Sequence, residues 1–377
     1  MTRAQAPTHE APAPAKSAKA KPKRVALIGA NGHGRSHRRK LQELSEANRL
    51  EVAAYCDVAE VDEPGEVPVY RDHQAMLAET RPDVVIICTP PHTHLPIALD
   101  CVRAGADLLL EKPPMLALAD HETLQAALDE TGQVCQVGFQ ALGSAGLTRV
   151  REAIASGALG EIIGISAFGA WQRDDAYWSR SPWAGKRTID GALANPFAHA
   201  TMQCLALLPQ PIRIASIEVE RYRARPIEVD DTATLRVRPV DGPPVVVAVT
   251  LCAEGFLPGS VLVQGTAGEA ELEYPTDRLR LSTPDWETTG RADLLLNLLD
   301  DRDSLIAPLA VTAAFTAVLE HIHAAPTPIA LDPARLVERH AGPARQVVIP
   351  GIDQLVRTAA RRLALFSEIS DLPTERP

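Results

Sequence analysis

The clearest candidates for chemistry are small residues that follow the first apolar run of the chain. In the stretch VALIGANGHGRSH, Gly29, Asn31 and Gly34 have the spacing of the G-x-G-x-x-G fingerprint. Such glycines form a tight turn between a strand and a helix, and the helix N-terminus holds a pyrophosphate. Asparagine stands in place of the second glycine, but it tolerates left-handed backbone and a further glycine follows it. The stretch therefore predicts a dinucleotide-binding turn formed by Gly29, Asn31, Gly32, His33 and Gly34.

A single carboxylate follows the second apolar run, LEVAAYC. Asp57 lies where an acidic residue bonds the adenosine ribose hydroxyls in dinucleotide-binding folds. The next residues, VAEVDE, contain acids and no arginine, so they would repel a 2′-phosphate. The sequence therefore predicts NAD as the cofactor in preference to NADP.

A loop in the middle of the chain concentrates aromatic and charged side chains. The segment WQRDDAYWSRSPWAGKR, residues 171–187, holds three of the four tryptophans of a protein that is only 4% aromatic. Aromatic faces together with charged donors that point to one place suit a polar, ring-shaped ligand. The alternative is that this segment is a loop at a protein–protein interface. The predicted contacts with a small-molecule substrate are Trp171, Arg173, Asp175, Tyr177, Trp183, Lys186 and Arg187.

These residues are positioned by elements whose pattern changes along the chain. In residues 24–140, β-branched runs alternate with helical stretches near 35–47, 72–80, 94–104 and 119–131. This alternation predicts an α/β domain with a doubly wound parallel sheet, in which ligands bind beyond the carboxyl ends of the strands. Residues 141–377 carry antiparallel-type strands and a C-terminal amphipathic helix, and they are predicted to form a second domain.

Composition limits the kind of protein. The chain has 377 residues, of which 46% are hydrophobic, and this predicts two hydrophobic cores. Residues 1–23 form a basic tail rich in Ala, Pro and Lys that is predicted to be disordered. Weak organelle targeting by this tail is the alternative. The rest is more acidic than the net charge of −10 of the whole chain, which argues against nucleic acid as a partner. Without an apolar run that could span a bilayer, we expect no membrane partner and a cytoplasmic location.

No metal site is predicted. The six cysteines are widely spaced without a C-x-x-C pair, so we expect reduced thiols in the cores. His92 and His94 form a pair that could bind a metal, but no third ligand is evident near them.

Two further motifs complete a family resemblance. CTPPHTHLPIALDCVRAG and EKPP, following GANGHGRSH in this order, resemble the glucose-fructose oxidoreductase, inositol dehydrogenase and rhizopine-catabolism family, called Gfo/Idh/MocA. The resemblance runs from about Val25 to the helix after residue 190. It implies a Rossmann domain followed by an α/β domain with a large, mostly antiparallel open sheet, through which homo-dimers or homo-tetramers form. It also implies NAD(P)-dependent oxidation or reduction of sugars, polyols or related molecules.

The resemblance also implies roles for individual residues near the cofactor. Lys112 of EKPP lies beside the nicotinamide and the reacting carbon, where an amine can carry the substrate's hydroxyl proton. Gln140 stands where the family has an Asn-x-Arg segment, which makes the usual substrate contacts there uncertain. The residues implied to contact the cofactor are Thr89, Pro90, Pro91, His94, Glu111, Lys112 and Gln140.

The family places an aspartate and a histidine four residues apart over the nicotinamide, and here the pair is Asn195 and His199. Both are expected to contact substrate, with His199 as the second catalytic residue. Asn-Pro is also a typical helix start, so Asn195 is predicted to be an N-cap and Pro196 the first helical residue. In the first turn the helix dipole would keep His199 neutral.

The leading prediction is an NAD-dependent oxidoreductase that transfers hydride between nicotinamide and a secondary alcohol or ketone of a sugar, cyclitol or related molecule. Two alternatives stay open. One is redox-neutral chemistry by transient oxidation with retained NAD, and the other is a non-catalytic sensor of NAD and sugar.

Overall fold

The computed structural model describes residues 21–181, 183–186, 190–342 and 344–373. Almost all of the predicted tail, and Arg187 of the aromatic loop, lie outside the described residues. Among the helices of these segments, none has the length and apolar character needed to cross a membrane.

The described segments contain strands and helices that alternate in the first half of the chain. The strands are β1 (Lys23–Ile28), β2 (Leu50–Cys56), β3 (Val69–Tyr70), β4 (Val84–Ile87), β5 (Asp107–Leu110), β6 (Cys135–Val137), β7 (Ile162–Gln172), β8 (Ile214–Arg223), β9 (Thr232–Pro239), β10 (Val245–Thr250), β11 (Cys252–Gly265), β12 (Glu269–Glu273), β13 (Arg278–Leu281), β14 (Glu287–Thr288), β15 (Ile329–Ala330), β16 (Val337–Ala341) and β17 (Ala344–Val348). The helices are α1 (Gly34–Glu46), α2 (His73–Thr80), α3 (His94–Arg103), α4 (Leu118–Thr131), α5 (Ala145–Ala155), α6 (Asp175–Trp178), α7 (Ala198–Ala206), α8 (Leu294–Asp300), α9 (Ala313–Ala324) and α10 (Ile352–Arg362).

The first six strands form the predicted parallel sheet. Their order is β3-β2-β1-β4-β5-β6, and every paired neighbour is parallel. All four residues of β4 and of β5 are buried, because helices cover both faces of the sheet. The strand order reverses between β1 and β4, so the carboxyl ends of these strands border the crevice where such sheets bind ligands.

The second sheet has nine strands in the order β14-β13-β12-β11-β7-β10-β9-β8-β15. Two pairs, β7 with β10 and β8 with β15, are parallel, and the other pairs are antiparallel. The predicted combination of a doubly wound parallel sheet with a large, mostly antiparallel one is confirmed. The positions of the domain boundaries stay a prediction.

Helices cover both faces of the second sheet at β7. A Cβ at Gly169 would lie 2.2 Å from the Phe197 ring, which leads into α7. On the opposite face, Ala170 shares a buried cluster with Ile352 and Val356 of α10. The apolar side of the C-terminal helix therefore packs on the sheet at this strand.

The chain returns to the first domain after the second sheet. Leu294, Leu295 and Leu298 of α8 belong to the cluster that packs against β1, and Arg302 forms an ion pair with Asp107 at 2.7 Å. All six cysteines are free, and five of them are buried, which agrees with the predicted core thiols.

Candidate active site

The predicted cofactor turn lies between β1 and α1. Gly29 has a φ of +86°, and a Cβ there would lie 2.4 Å from the Cys88 carbonyl oxygen. A Cβ at Gly34 would lie 1.9 Å from the Gly29 oxygen, so both positions require glycine. Gly32 has a φ of +54° and open space around it, whereas Asn31 is not among the residues with positive φ. The residues of this turn with positive φ are therefore Gly29 and Gly32, and the turn forms without the second glycine of the fingerprint.

Asn31 instead holds the acidic loop after β2. Its backbone N–H donates to Asp57 Oδ2 at 3.0 Å, and its Nδ2 donates to the Glu60 carbonyl at 3.0 Å. The other carboxylate oxygen of Asp57 accepts from the Ala59 N–H at 2.9 Å. These bonds fix Asp57 beside the glycine-rich turn, as ribose recognition requires.

Two arginines from α1 reach the same loop. Arg35 pairs with Asp62, and Arg38 donates to the Glu63 carbonyl at 2.7 Å. The sequence around Asp57 contains no arginine, so this approach from another element was not predicted. Both cations are engaged by groups of the loop itself, Asp62 and the Glu63 carbonyl.

Glu111 is a buried carboxylate at the end of β5. Its Oε1 lies 3.0 Å from His37 Nε2 and 3.7 Å from His33 Nε2, and its Oε2 accepts from the Lys112 N–H at 3.1 Å. Burial alone would raise the pKa of Glu111, but the two histidines beside the carboxylate outweigh burial and hold the pKa well below its usual range. The nearby Glu111 carboxylate in turn raises the pKa of His33.

The nitrogen and oxygen atoms of His33, His37 and Glu111 all lie within 4.8 Å of one another, the one such set in the described segments that could hold a metal ion. No metal was predicted from the sequence. Because His37 is already within hydrogen-bond distance of the Glu111 carboxylate, we interpret the set as a hydrogen-bonded support for Lys112.

Lys112 is held by Asn195 across the two domains. Lys112 Nζ donates to Asn195 Oδ1 at 2.8 Å and to the Asn195 carbonyl at 3.3 Å, and the peptide bond to Pro113 is cis. Burial lowers the pKa of the Lys112 amine, against the opposing charges of Glu111 and Asp190. The neutral amine, which can accept a proton, is thus more accessible than in an exposed lysine.

The prediction that Asn195 is a helix N-cap is wrong. Helix α7 begins at Ala198, with Phe197 in the cap position and no side-chain cap, so Pro196 is not its first residue either. The Asn195 side chain is engaged in tertiary contacts, because its Nδ2 donates to Asp190 Oδ1 at 3.0 Å while its Oδ1 faces Lys112. A carboxylate can only accept and an ammonium can only donate, so these neighbours fix the orientation of the amide.

Asp190 is the buried carboxylate behind this amide. Its Oδ2 accepts from Arg180 Nη2 at 2.9 Å and from the Gly185 N–H at 3.0 Å, and its side chain is fully buried. The Asn195 amide connects it to Lys112.

His199 lies in the first turn of α7, edge-on to Phe139 with ring centroids 5.8 Å apart. Burial, followed by the charge of Lys112, lowers the pKa of His199 to about 3, so the ring is neutral at physiological pH. The His199 ring is therefore kept neutral by burial and by the charge of Lys112, whereas the sequence predicted that the helix dipole would do this. The ring Nδ1 is buried and has no hydrogen-bond partner.

The other residues implied to contact the cofactor surround this centre. His94 is fully buried, with Nε2 2.9 Å from the Thr89 carbonyl and Nδ1 3.1 Å from the Pro114 carbonyl. It joins the loop after β4 to EKPP, and burial lowers its pKa. Pro90 and Pro91 lie in that loop, and Gln140 Nε2 donates to Glu111 at 3.5 Å.

The aromatic loop divides into an inner and an outer part. Trp171 stacks on Phe197 with centroids 4.4 Å apart, and the Arg173 guanidinium lies over Trp171 and Tyr177. Because Phe197 leads into the helix of His199, these residues adjoin the site.

The outer part pairs with other surface groups. Asp175 forms ion pairs with Arg225 and Arg345, and Lys186 pairs with Glu228 at 2.8 Å. Trp183 lies under Arg180, which bonds Asp190. The contribution of Asp175 and Lys186 to substrate binding stays a prediction.

Sequence analysis missed three residues of this centre. His37 was within the quoted motif, one helical turn after Gly34, and that spacing could have identified it. Asp190 precedes Asn195 by five positions with no pattern to mark it. Tyr274 follows β12, and its ring lies 6.4 Å from that of His199 only because the second sheet folds across the site.

Two family models match the chain. Residues 23–139 match the oxidoreductase family with an NAD-binding Rossmann fold, and residues 147–271 match the GFO/IDH/MocA C-terminal domain. Together these segments cover more than half of the chain.

Individual relatives agree with this result. The chain is 30% identical to the D-glucoside 3-dehydrogenase of Escherichia coli K12 over 152 residues, which are 39% of this chain and 43% of that protein. It is 29% identical to an inositol 2-dehydrogenase of Rubrobacter xylanophilus over 154 residues, 40% of this chain and 44% of that protein. The aligned segments thus span less than half of these curated relatives.

A solved structure extends the similarity of fold. The WlbA dehydrogenase of Bordetella pertussis, in complex with NADH and UDP-GlcNAcA, has a TM-score of 0.66 at 21% identity, covering 82% of this chain and all of that one. With the two matching domain models and the geometry above, the chain belongs to the Gfo/Idh/MocA oxidoreductase family.

Proposed function

We propose that this protein is an NAD-dependent oxidoreductase that transfers hydride between nicotinamide and a secondary alcohol or ketone of a sugar, cyclitol or related molecule. The observation that carries the proposal is the placement of Lys112. Its amine follows the end of β5 and bonds Asn195 of the second domain, four residues before His199. The similarity to a D-glucoside 3-dehydrogenase and an inositol 2-dehydrogenase supports the substrate class.

The residues of the turn fit a dinucleotide. Gly29 and Gly34 bring the β1–α1 connection too close for side chains, the space at Gly32 is open, and the helix N-terminus favours phosphate there. Asp57 would bind the adenosine ribose. The bound nicotinamide supplies the hydride acceptor or donor.

Lys112 and His199 would handle the hydroxyl proton. A lysine with a lowered pKa is the stronger base of the two at neutral pH, so Lys112 accepts the proton in oxidation and returns it in reduction. His199, neutral and without a partner at Nδ1, hydrogen-bonds the substrate and orients it. Asn195 and Asp190 keep the amine directed at the site.

We also propose that the protein forms a homo-dimer or homo-tetramer through the second sheet. We further propose that it is located in the cytoplasm. Helix α10 covers the strands around β7 on one face, so a second copy would contact the strands that α10 leaves uncovered. Light scattering of the purified protein, beside a variant truncated before Ile352, tests whether α10 limits association.

Activity is tested by mixing the protein with NAD⁺ and a panel of sugars, sugar acids and cyclitols. The proposal predicts formation of reduced nicotinamide with at least one of them. If none reacts and denaturation releases tightly held NAD, redox-neutral chemistry replaces the proposal. If none reacts and no nucleotide is held, the sensor alternative replaces it.

A further inference from the structure

The Arg173 guanidinium is a cation that lies beside the site against two aromatic rings. It lies 4.9 Å from the centroid of the Trp171 ring and 5.2 Å from that of Tyr177, and its Nη1 donates to the Gln172 carbonyl at 3.2 Å. Within the segments that the structure describes, no carboxylate forms an ion pair with it. The neighbouring arginines differ, because Arg180 pairs with Asp190 and Arg225 with Asp175.

Two buried polar atoms near this cation also lack partners. The Tyr274 hydroxyl and His199 Nδ1 make no hydrogen bond, although Tyr274 is only 4% exposed. Leaving such atoms unpaired costs free energy, and a ligand that binds between them removes the cost. Gly259 lets the Tyr274 ring pack against the backbone, since a Cβ there would lie 2.5 Å from the ring.

Arg173 lies within electrostatic reach of that hydroxyl. Burial raises the pKa of Tyr274, and the charges of Arg173 and Arg291 act against the rise. The hydroxyl therefore stays protonated and can donate. Arg291 is paired with Asp277 at 3.0 Å, which leaves Arg173 as the uncompensated charge.

The charges next to Arg173 are matched in pairs. Asp190 is paired with Arg180, and Asp277 with Arg291. The Lys112 amine faces the negative charges of Glu111 and Asp190. A neutral sugar would leave Arg173 without a counter-charge, whereas an anionic group would supply one.

We infer that the substrate is an acidic sugar or cyclitol, whose carboxylate or phosphate group binds Arg173 while a hydroxyl binds Tyr274 and His199. The planar guanidinium, held against two aromatic rings, can bind either group in a bidentate manner. This inference rests on the proposed function, since it names the substrate class of the same site. It needs only binding, not turnover, to be tested.

The test measures ligand binding to the complex of the protein with NADH by calorimetry. The probes are matched sets of gluco, galacto and manno configuration, each consisting of the aldose, its uronate and its 6-phosphate. We expect at least one anion to bind about tenfold or more tightly than its neutral aldose, as for one charge-assisted hydrogen bond. A preference for the uronate or for the phosphate identifies the anionic group.

Variants locate the effect. Arg173→Gln should abolish the preference, Arg173→Lys should keep part of it, and Arg213→Gln, at an exposed ion pair with Asp241, should leave it unchanged. The inference is overturned if no anion binds more tightly than its neutral aldose in any set, which includes the case that no probe binds. It is also overturned if Arg173→Gln still prefers the anion. Turnover of a neutral sugar with NAD⁺ would leave the proposed function standing while the inference fails.

Discussion

Replacing Asp190 by asparagine tests the connection between this buried carboxylate and Lys112. The substitution keeps the size of the side chain, and an amide oxygen can still accept from the Gly185 N–H. It removes one negative charge that favours the ammonium form of Lys112. The amine should therefore lose its proton at a lower pH in Asp190→Asn than in the wild type.

The size of the effect follows from the geometry. Lys112 Nζ lies 2.8 Å from Asn195 Oδ1, and Asn195 Nδ2 lies 3.0 Å from Asp190 Oδ1, so with the amide between them the two charges are at most about 8 Å apart. At an effective dielectric constant of about 20 and that separation, their attraction is about 2 kcal/mol. Since 1.36 kcal/mol corresponds to one pH unit, we expect the transition to move down by about one to two pH units.

The assay is the pH dependence of Lys112 labelling by an amine reagent, quantified by mass spectrometry of the peptide that contains it. It requires no substrate. Asp241→Asn, at an exposed acid paired with Arg213, changes the net charge equally and should leave the labelling curve in place. An unchanged or upward-shifted curve in folded Asp190→Asn, or an equal shift in the control, refutes the connection.

Three further predictions concern single residues. Asn195→Ala removes the donor to buried Asp190 and the acceptor of Lys112, so denaturant titration should show a loss of about 1–3 kcal/mol, and a loss below about 0.5 kcal/mol would argue against this role. The pKa of His199 is about 3 when folded and about 6.5 when unfolded, so stability is lost as pH falls through this window. Between pH 7 and pH 4 the wild type should lose about 3 kcal/mol more than His199→Gln, and parallel curves would contradict the shift. Fluorescence titration should show NADH binding at least about tenfold more tightly than NADPH, with Asp57→Asn reducing the difference; equal wild-type affinities would exclude the assigned role of Asp57.

The features predicted from sequence were those with local signals. The Gly29–Gly34 turn, the parallel strands and the positions of Asp57 and Lys112 depend on residues close in the chain, so periodicity and motif order sufficed. The contacts of Arg35 and Arg38 with the loop after Asp57 could not be predicted from the sequence, because they depend on how α1 packs beside that loop. Asn195 was misassigned since Asn-Pro is a strong local cap signal, and only the fold shows that Asp190 and Lys112 engage its side chain. Tyr274 and the position of α10 depend likewise on the packing of the second sheet.

The central claim is that Lys112 carries the proton in NAD-dependent hydride transfer. The most direct measurement compares the wild type with Lys112→Met under saturating NAD⁺ and a substrate from the panel, following reduced nicotinamide, with NADH affinity determined for both. We predict that the variant binds NADH as the wild type does and turns over about a hundredfold more slowly or worse. Turnover within a few-fold of the wild type, with NADH binding intact, would contradict the account.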